Sequence, residues 1–324
     1  MPKNKRWEES LIANGIGNVK LISWKYFMDF IYQEMLDYET YIWRGQRCSN
    51  WLLEPTLDRL IKTMKIKEKD KDKFRREHLE RYKYATRGRR GINPAPISEE
   101  NDWWALGQHN GLETPLLDWT NSPFVAAYFA FISKGDNQTK HRVIYALHKP
   151  TVERKSNEIY EQKMKEVNKK ESESSIQIQK LLTGVDKTNK PVGSIELLSD
   201  DIQRKEEHNK RKLKSHLYKS LFNINEPTRK PIEFIKPLSD ENQRLVNQNG
   251  LFTRSPGGVD LEKWINDNFA SDTDYTLIKI LLPNDNRIDC LRTLNRMNIN
   301  HLTLFPDLYG ASVYCNIYGE IKGY

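Results

Sequence analysis

The chain has 324 residues, enough for one large domain with an insertion or for two domains, and enough to bury a substantial core. A hydrophobic fraction of 37%, a charged fraction of 30% and a net charge of +8 bias it toward phosphate-bearing partners without distinguishing a nucleic acid from a nucleotide. Three cysteines without ligand spacing (Cys48, Cys290, Cys315), no apolar leader and no stretch near the ~20 apolar residues that cross a bilayer argue against a disulfide framework, a zinc site, secretion and a membrane span, so we expect a cytoplasmic protein.

Residues 24–36 (WKYFMDFIYQEML) carry apolar side chains at helical spacing, and the following YIWRGQ turns to β-favouring residues, which predicts helix, strand and turn. From Leu57 to Tyr84 the pattern predicts a long basic helix with interleaved acids, stopped at Gly88 and Gly91. It reads either as a solvated helix face or as a nucleic-acid contact. Asn101 to Gly111 predicts a short helix with an aromatic face. Ser122-Pro123 has the form of a helix start, a capping hydroxyl followed by proline at the first helical position, with the helix running to Phe131. Asp118, Trp119 and Thr120 then lie at a strand-to-helix junction. His141 to His148 predicts a strand.

Between Pro150 and Pro231 the sequence becomes charge-rich and loses core-forming aromatics, which predicts a helical or partly disordered insertion. The core resumes with PIEFIKPL and RLVNQNGLFTR, a helix near Leu261 to Phe269, the strand YTLIKILL, and a last helix through Ile288 to Met297. The expected organisation is a first part at 1–150, the insertion at 151–230 and a second part at 231–324. The fold class is α/β or α+β, a mixed sheet with flanking helices.

Several polar residues have no obvious place in such a core. Arg44 at a strand end offers a bidentate donor beside Gly45, where a ligand can approach the backbone, and a pyrophosphate suits it; pairing with a carboxylate such as Asp118 is the alternative. Gln46 follows on the same strand. A carboxylate at Asp118, within an apolar run, costs several kcal/mol unless paired, and Arg44 or His109 are candidate partners. Gln108 and His109 offer hydrogen bonds, and the imidazole a general acid or base. Thr120 and Ser122 precede a helix whose free amides favour an anion, although Ser122 also reads as a plain cap. Gln248 supplies an amide with donor and acceptor, and Asp307 reads as a structural turn cap.

Four constellations stand out along the chain: Trp43-Arg44-Gly45-Gln46; Gln108-His109 with Leu116 to Pro123; Arg244 with Gln248, Gly250 and Phe252; and Leu304 to Leu308 with Gly310. In this order they resemble the FRG domain family, from about residue 20 to the end apart from the insertion. The chain departs from that pattern at Pro115, where the family often has arginine, and at Asn110, where a second histidine is common. The order of elements also resembles, more faintly, that of ADP-ribosyltransferases. That resemblance implies an NAD cofactor, with Arg44 on its phosphates and Thr120 orienting the nicotinamide ribose. A late glutamate has no obvious counterpart, so Gln248 would stand in. The expected catalytic residues are His109, Asp118 and Gln248. The cofactor-binding ones are Arg44, Gln46, Gln108, Thr120 and Ser122, and no metal is expected. The implied role is that of a toxin or antiviral effector acting on a protein or nucleic acid. The alternative is a nucleic-acid-binding or nuclease-type module using the basic helix at 61–90 and the insertion.

Overall fold

Short runs rich in apolar, β-branched and aromatic residues form eight strands in the computed structural model, which describes residues 5–10, 13–35, 38–91, 93–135, 140–184, 229–236, 243–255, 258–269 and 275–324. These are β1 (Trp7–Glu9), β2 (Ile16–Leu21), β3 (Tyr41–Gln46), β4 (Leu116–Thr120), β5 (His141–His148), β6 (Glu233–Ile235), β7 (Gly250–Arg254) and β8 (Leu277–Pro283). They join in one mixed sheet in the order β1-β2-β8-β5-β3-β4-β7-β6. Only the β2–β8 pair is parallel among these neighbours. The fold is therefore mixed α/β with flanking helices.

Helices α1 (Phe27–Glu34), α2 (Thr56–Thr63), α3 (Lys71–Ala85), α4 (Glu100–His109) and α5 (Pro123–Phe131) precede β5, and α6 (Lys149–Gly184) follows it. After β6 come α7 (Gln243–Asn247), α8 (Leu261–Asn268), α9 (Arg287–Arg296), α10 (His301–Leu304) and α11 (Leu308–Glu320). Residues 1–156 with 231–324 make one compact unit and residues 157–230 another, so α6 begins in the first and continues into the second. The expectation for residues 185–228 of the insertion lies outside the described residues.

One core cluster gathers α1, α5, α9 and α11 against the strands, with Trp43, Ile144, Ala146, Ile278 and Ile280 from the sheet buried beneath Phe27, Phe131 and Leu291. Another lies under α2, α3 and α4, where Leu57, Ile61, Leu79 and Trp104 pack with Leu116 and Phe252. The mostly buried helix α5 sits directly on β3. A Cβ at Gly45 would fall 1.9 Å from the Ala126 carbonyl oxygen and 2.6 Å from the Ala130 nitrogen. Glycine is therefore required at this position by the helix above it. The space that a Cβ at Gly45 would take is filled by α5 backbone, while Gly45 also lines the cavity beside Arg44.

The carboxyl end of α5 is held by arginines. Arg142, fully buried, donates from Nη1 to the Ala130 carbonyl (2.5 Å) and from Nε to Asn284 Oδ1 (2.8 Å). Arg287 donates to the Phe131 and Ile132 carbonyls at 3.0 and 2.9 Å. Positive charge at a helix carboxyl end meets the negative pole of its dipole, which favours burying Arg142 there.

The predicted long basic helix is two helices. Lys65, at φ +54°, breaks the run between α2 and a 3-10 turn at Glu68–Asp70 that leads into α3. Arg75 ties the pieces together through Asp58 (2.8 Å) and Asp72 (2.9 Å). The N-terminal strands β1 and β2 and the C-terminal helices α10 and α11 were not expected, and α9 is not the last helix.

Candidate functional site

Strands β3 and β4 share only the pair Trp43↔Thr120. On its other side β3 makes six pairs with β5, and β4 makes five with β7, so each strand is well anchored while the two part from one another. A cavity of about 440 Å³ opens beside this junction, lined by Trp43, Arg44, Gln108, His109, Asp118, Thr120, Arg244, Gln248 and aromatic walls from Phe129, Phe252 and Phe305.

Arg44 lies at the split. Its Nη1 donates to the backbone carbonyl of Asp118 at 2.8 Å and stands 3.6 Å from the carboxylate Oδ2. Only 18% of its side chain is exposed, and its buried Nε lacks a hydrogen-bond partner. Burial pulls the guanidinium below its ordinary pKa, and the Asp118 charge opposes that pull. The Asp118 side chain is 63% exposed, so it is not the buried carboxylate that the apolar run suggested.

Helix α4 delivers the amide and the imidazole. Its amino end is fixed to β7 by Arg254, which donates to Glu100 Oε1 (2.6 Å) and Asn101 Oδ1 (2.7 Å), while Trp104 and Ala105 are buried in the core. At its carboxyl end Gln108 donates from Nε2 to Asp118 Oδ1 at 2.5 Å and accepts from the buried Thr114 hydroxyl. Gln108 thus aligns Asp118. His109 lines the cavity next door, and burial followed by the Arg244 charge lowers its pKa, with Asp307 opposing. The ring is neutral near pH 7 and suited to accept a proton.

Thr120 donates to the Gln248 carbonyl at 2.6 Å and accepts from the Ser122 amide at 3.1 Å, which locks the β4–α5 turn to the segment entering β7. Gln248 donates from Nε2 to the Leu304 carbonyl at 3.2 Å, so its amide also fastens α10. The far wall is Arg244, which pairs with Asp307 through Nε (2.7 Å) and Nη2 and lies 5.3 Å from the Phe305 ring centroid. Asp307 accepts from the Gly310 amide at 2.8 Å as the N-cap of α11. It therefore caps a helix where a turn was expected.

Six of the residues singled out from sequence, Arg44, Gln108, His109, Asp118, Thr120 and Gln248, come together on the cavity. Two do not line it. Ser122 accepts from the Val125 amide at 3.3 Å and caps α5, and Gln46 is buried, with its Nε2 donating to the Trp51 carbonyl at 3.2 Å. Sequence reasoning gave no site role to Arg244 or Phe305, although both stand in the quoted motifs. A cation six residues before the glycine of β7 and an aromatic before Pro306 were the available signals. Among the described residues no three His, Cys, Asp or Glu side chains gather as a metal site, and no helix is long and apolar enough to cross a membrane.

Residues 39–140 match the family model of the FRG domain. The chain carries an FRG domain. The match covers under a third of the chain, from the start of β3 to just past α5. It includes Arg44, Gln108, His109, Asp118 and Thr120, whereas Arg244, Gln248 and Phe305 complete the FRG domain's cavity from beyond it. No curated protein and no solved structure matches the chain.

Proposed function

We propose that the cavity is a nucleotide site that takes NAD, and that the FRG domain is an ADP-ribosyltransferase-like enzyme. The observation that carries this reading is the convergence of Arg44, Gln108, His109 and Asp118 on one cavity walled by aromatic rings. Its volume of about 440 Å³ falls within the ~300–1,000 Å³ of small-molecule and cofactor sites. The buried Arg44 Nε has no hydrogen-bond partner, which leaves donor capacity on the arginine that lines the cavity. Arg44 and Arg244 would hold phosphate oxygens, and the Phe129 and Phe305 side chains would offer apolar surface to a base.

NAD bound there supplies an anomeric carbon that gains positive charge as its bond to nicotinamide breaks. Asp118, held by Gln108 and largely exposed, is the carboxylate that stabilises such charge, in place of the missing late glutamate. Gln248 positions rather than reacts, since its backbone carbonyl holds Thr120 and its side-chain Nε2 holds the Leu304 carbonyl. His109 takes the proton released by the acceptor group, and its lowered pKa keeps it free to do so at neutral pH.

The test is calorimetric titration with NAD of the full chain and of Arg44→Ala and Arg44→Lys. Loss of a charge-assisted pair of about 1.5–3 kcal/mol weakens binding roughly 10- to 100-fold in Arg44→Ala. Arg44→Lys recovers only part of it, because an ammonium cannot reach two oxygens from a planar fork. Absence of heat from the wild type at millimolar NAD, with the protein folded, overturns the reading. Incubation with labelled NAD and a cell lysate then identifies the acceptor.

A further inference from the structure

The carboxyl end of α3 carries chemistry that the cavity does not use. From Arg81 to Ile97 the chain reads RYKYATRGRRGINPAPI, with five cations and no acidic residue. Arg81, Arg87 and Arg89 are exposed, and the Tyr84 ring between them is 70% exposed with the Arg87 guanidinium 4.8 Å from its centroid. Glu77 and Glu80 supply the nearby carboxylates, at 3.3 Å from Arg81 and 2.7 Å from Lys83, one or two turns back toward the amino end. Arg89 donates to the Ala85 carbonyl at 2.8 Å, which fixes the loop against the helix end.

The helix is held in place on its other face. Arg75 reaches Asp58, Leu79 is buried, and His78 stacks on Trp104 of α4 while bonding the Glu113 carbonyl at 3.0 Å. One turn on, burial raises the Tyr82 hydroxyl's pKa and a hydrogen bond with the Asn110 side chain opposes the rise. Asn110 directly follows His109 of the cavity wall. Tyr82, next to Arg81 at the start of the exposed ridge, thus touches the residue that follows the cavity's imidazole.

We propose that the ridge from Arg81 to Arg90 binds a single-stranded nucleic acid, with phosphates on Arg81, Arg87 and Arg89 and a base stacked on Tyr84. Fixed cations interleaved with an exposed ring are the combination that tracks a flexible phosphate backbone and stacks its bases. A membrane surface fits less well, because the ridge offers Tyr84 rather than an aliphatic face for insertion. That the bound strand is also the acceptor of ADP-ribose rests on the reading of the cavity; the binding itself does not.

The experiment measures fluorescence anisotropy of a labelled oligonucleotide with the full chain at several salt concentrations. The triple variant Arg81→Ala, Arg87→Ala, Arg89→Ala is compared with Lys20→Ala, Lys25→Ala, Arg296→Ala, which loses the same charge elsewhere on the surface. Removing three phosphate contacts lowers the log–log salt slope by about 2 and weakens binding roughly a hundredfold at 0.1 M salt. The control triple keeps the wild-type slope. Tyr84→Ala weakens binding roughly tenfold with the slope unchanged, since stacking carries no charge. Equal slopes in the two triples, binding that ignores salt, no binding, or capture of anionic vesicles in preference to the oligonucleotide each overturn the proposal. NAD titration of the ridge triple is run in parallel. Normal NAD binding with lost oligonucleotide binding supports the ridge separately from the cavity, and failure of the cavity reading leaves the oligonucleotide result standing.

Discussion

Gly45→Ala separates two explanations of the glycine in Trp43-Arg44-Gly45. The strand conformation itself accepts alanine, which regains up to about 1 kcal/mol of the entropy that glycine loses on folding. Against that, the new methyl meets the Ala126 carbonyl oxygen at 1.9 Å and the Ala130 nitrogen at 2.6 Å, both backbone atoms of α5. Ordinary contact begins near 3.4 Å, so the helix must retreat by more than an ångström from a face where Ala126, Ala127 and Ala130 are fully buried. Overpacking costs about 1–3 kcal/mol, and a clash with a rigid helix backbone belongs at the upper end. The expected net loss is about 2–3 kcal/mol, a large part of the ~5–15 kcal/mol that stabilises a typical domain. Urea unfolding followed by circular dichroism measures it, as a lower midpoint with an unchanged slope. If Gly45→Ala unfolds at the wild-type midpoint yet fails to bind ligand, the glycine serves ligand approach and the packing argument is wrong.

Two other substitutions probe the same core and its rim. Ser122→Ala removes the α5 cap and is expected to cost about 1 kcal/mol in thermal unfolding while leaving NAD affinity at the wild-type value, because Ser122 does not line the cavity; a matching loss of affinity returns Ser122 to the binding set. His301, behind the Phe305 wall and bonded through Nδ1 to the Tyr128 hydroxyl at 2.9 Å, is pushed down to about 4 by burial, then by Arg244. The unfolded chain, with an ordinary value of 6.5, binds a proton between those values that the folded chain does not, so His301 makes stability fall as pH drops through that window. Urea midpoints at pH 7.5 and 4.5 should therefore differ more in the wild type than in His301→Gln, and equal differences refute the assignment.

What the sequence disclosed was local. The Ser122-Pro123 start of α5 and the continuous apolar run of β5 are read from adjacent residues, and both appear with their expected bounds to within a residue. The α11 segment, LYGASVYCNIYGE, has two glycines and several aromatics and β-branched residues, so its propensity is weak; packing of Ile317 and capping by Asp307 make it a helix. Strand β2 buries Gly17, Val19 and Leu21 on one face and leaves Ile16, Asn18 and Lys20 on the other, a short alternation that the glycine and asparagine at its centre masked. The cavity was legible as a set of polar residues in short motifs, and six of them meet there. Arg244 and Phe305 were not assigned because their place in the wall depends on β7 pairing with β4 across the insertion, a long-range fact that no local pattern encodes.

The sheet is continuous through its middle by one rung, Trp43↔Thr120. On one side of that rung stands the strand that bears Arg44, braced by β5 and α5; on the other, the strand that bears Asp118, braced by β7. The domain is in effect a caliper, whose jaws are a guanidinium and a carboxylate and whose pivot is a tryptophan facing a threonine. The jaws stand one and two residues from that pivot, and the Arg44 Nη1 bond to the Asp118 carbonyl at 2.8 Å is what spans the parting strands.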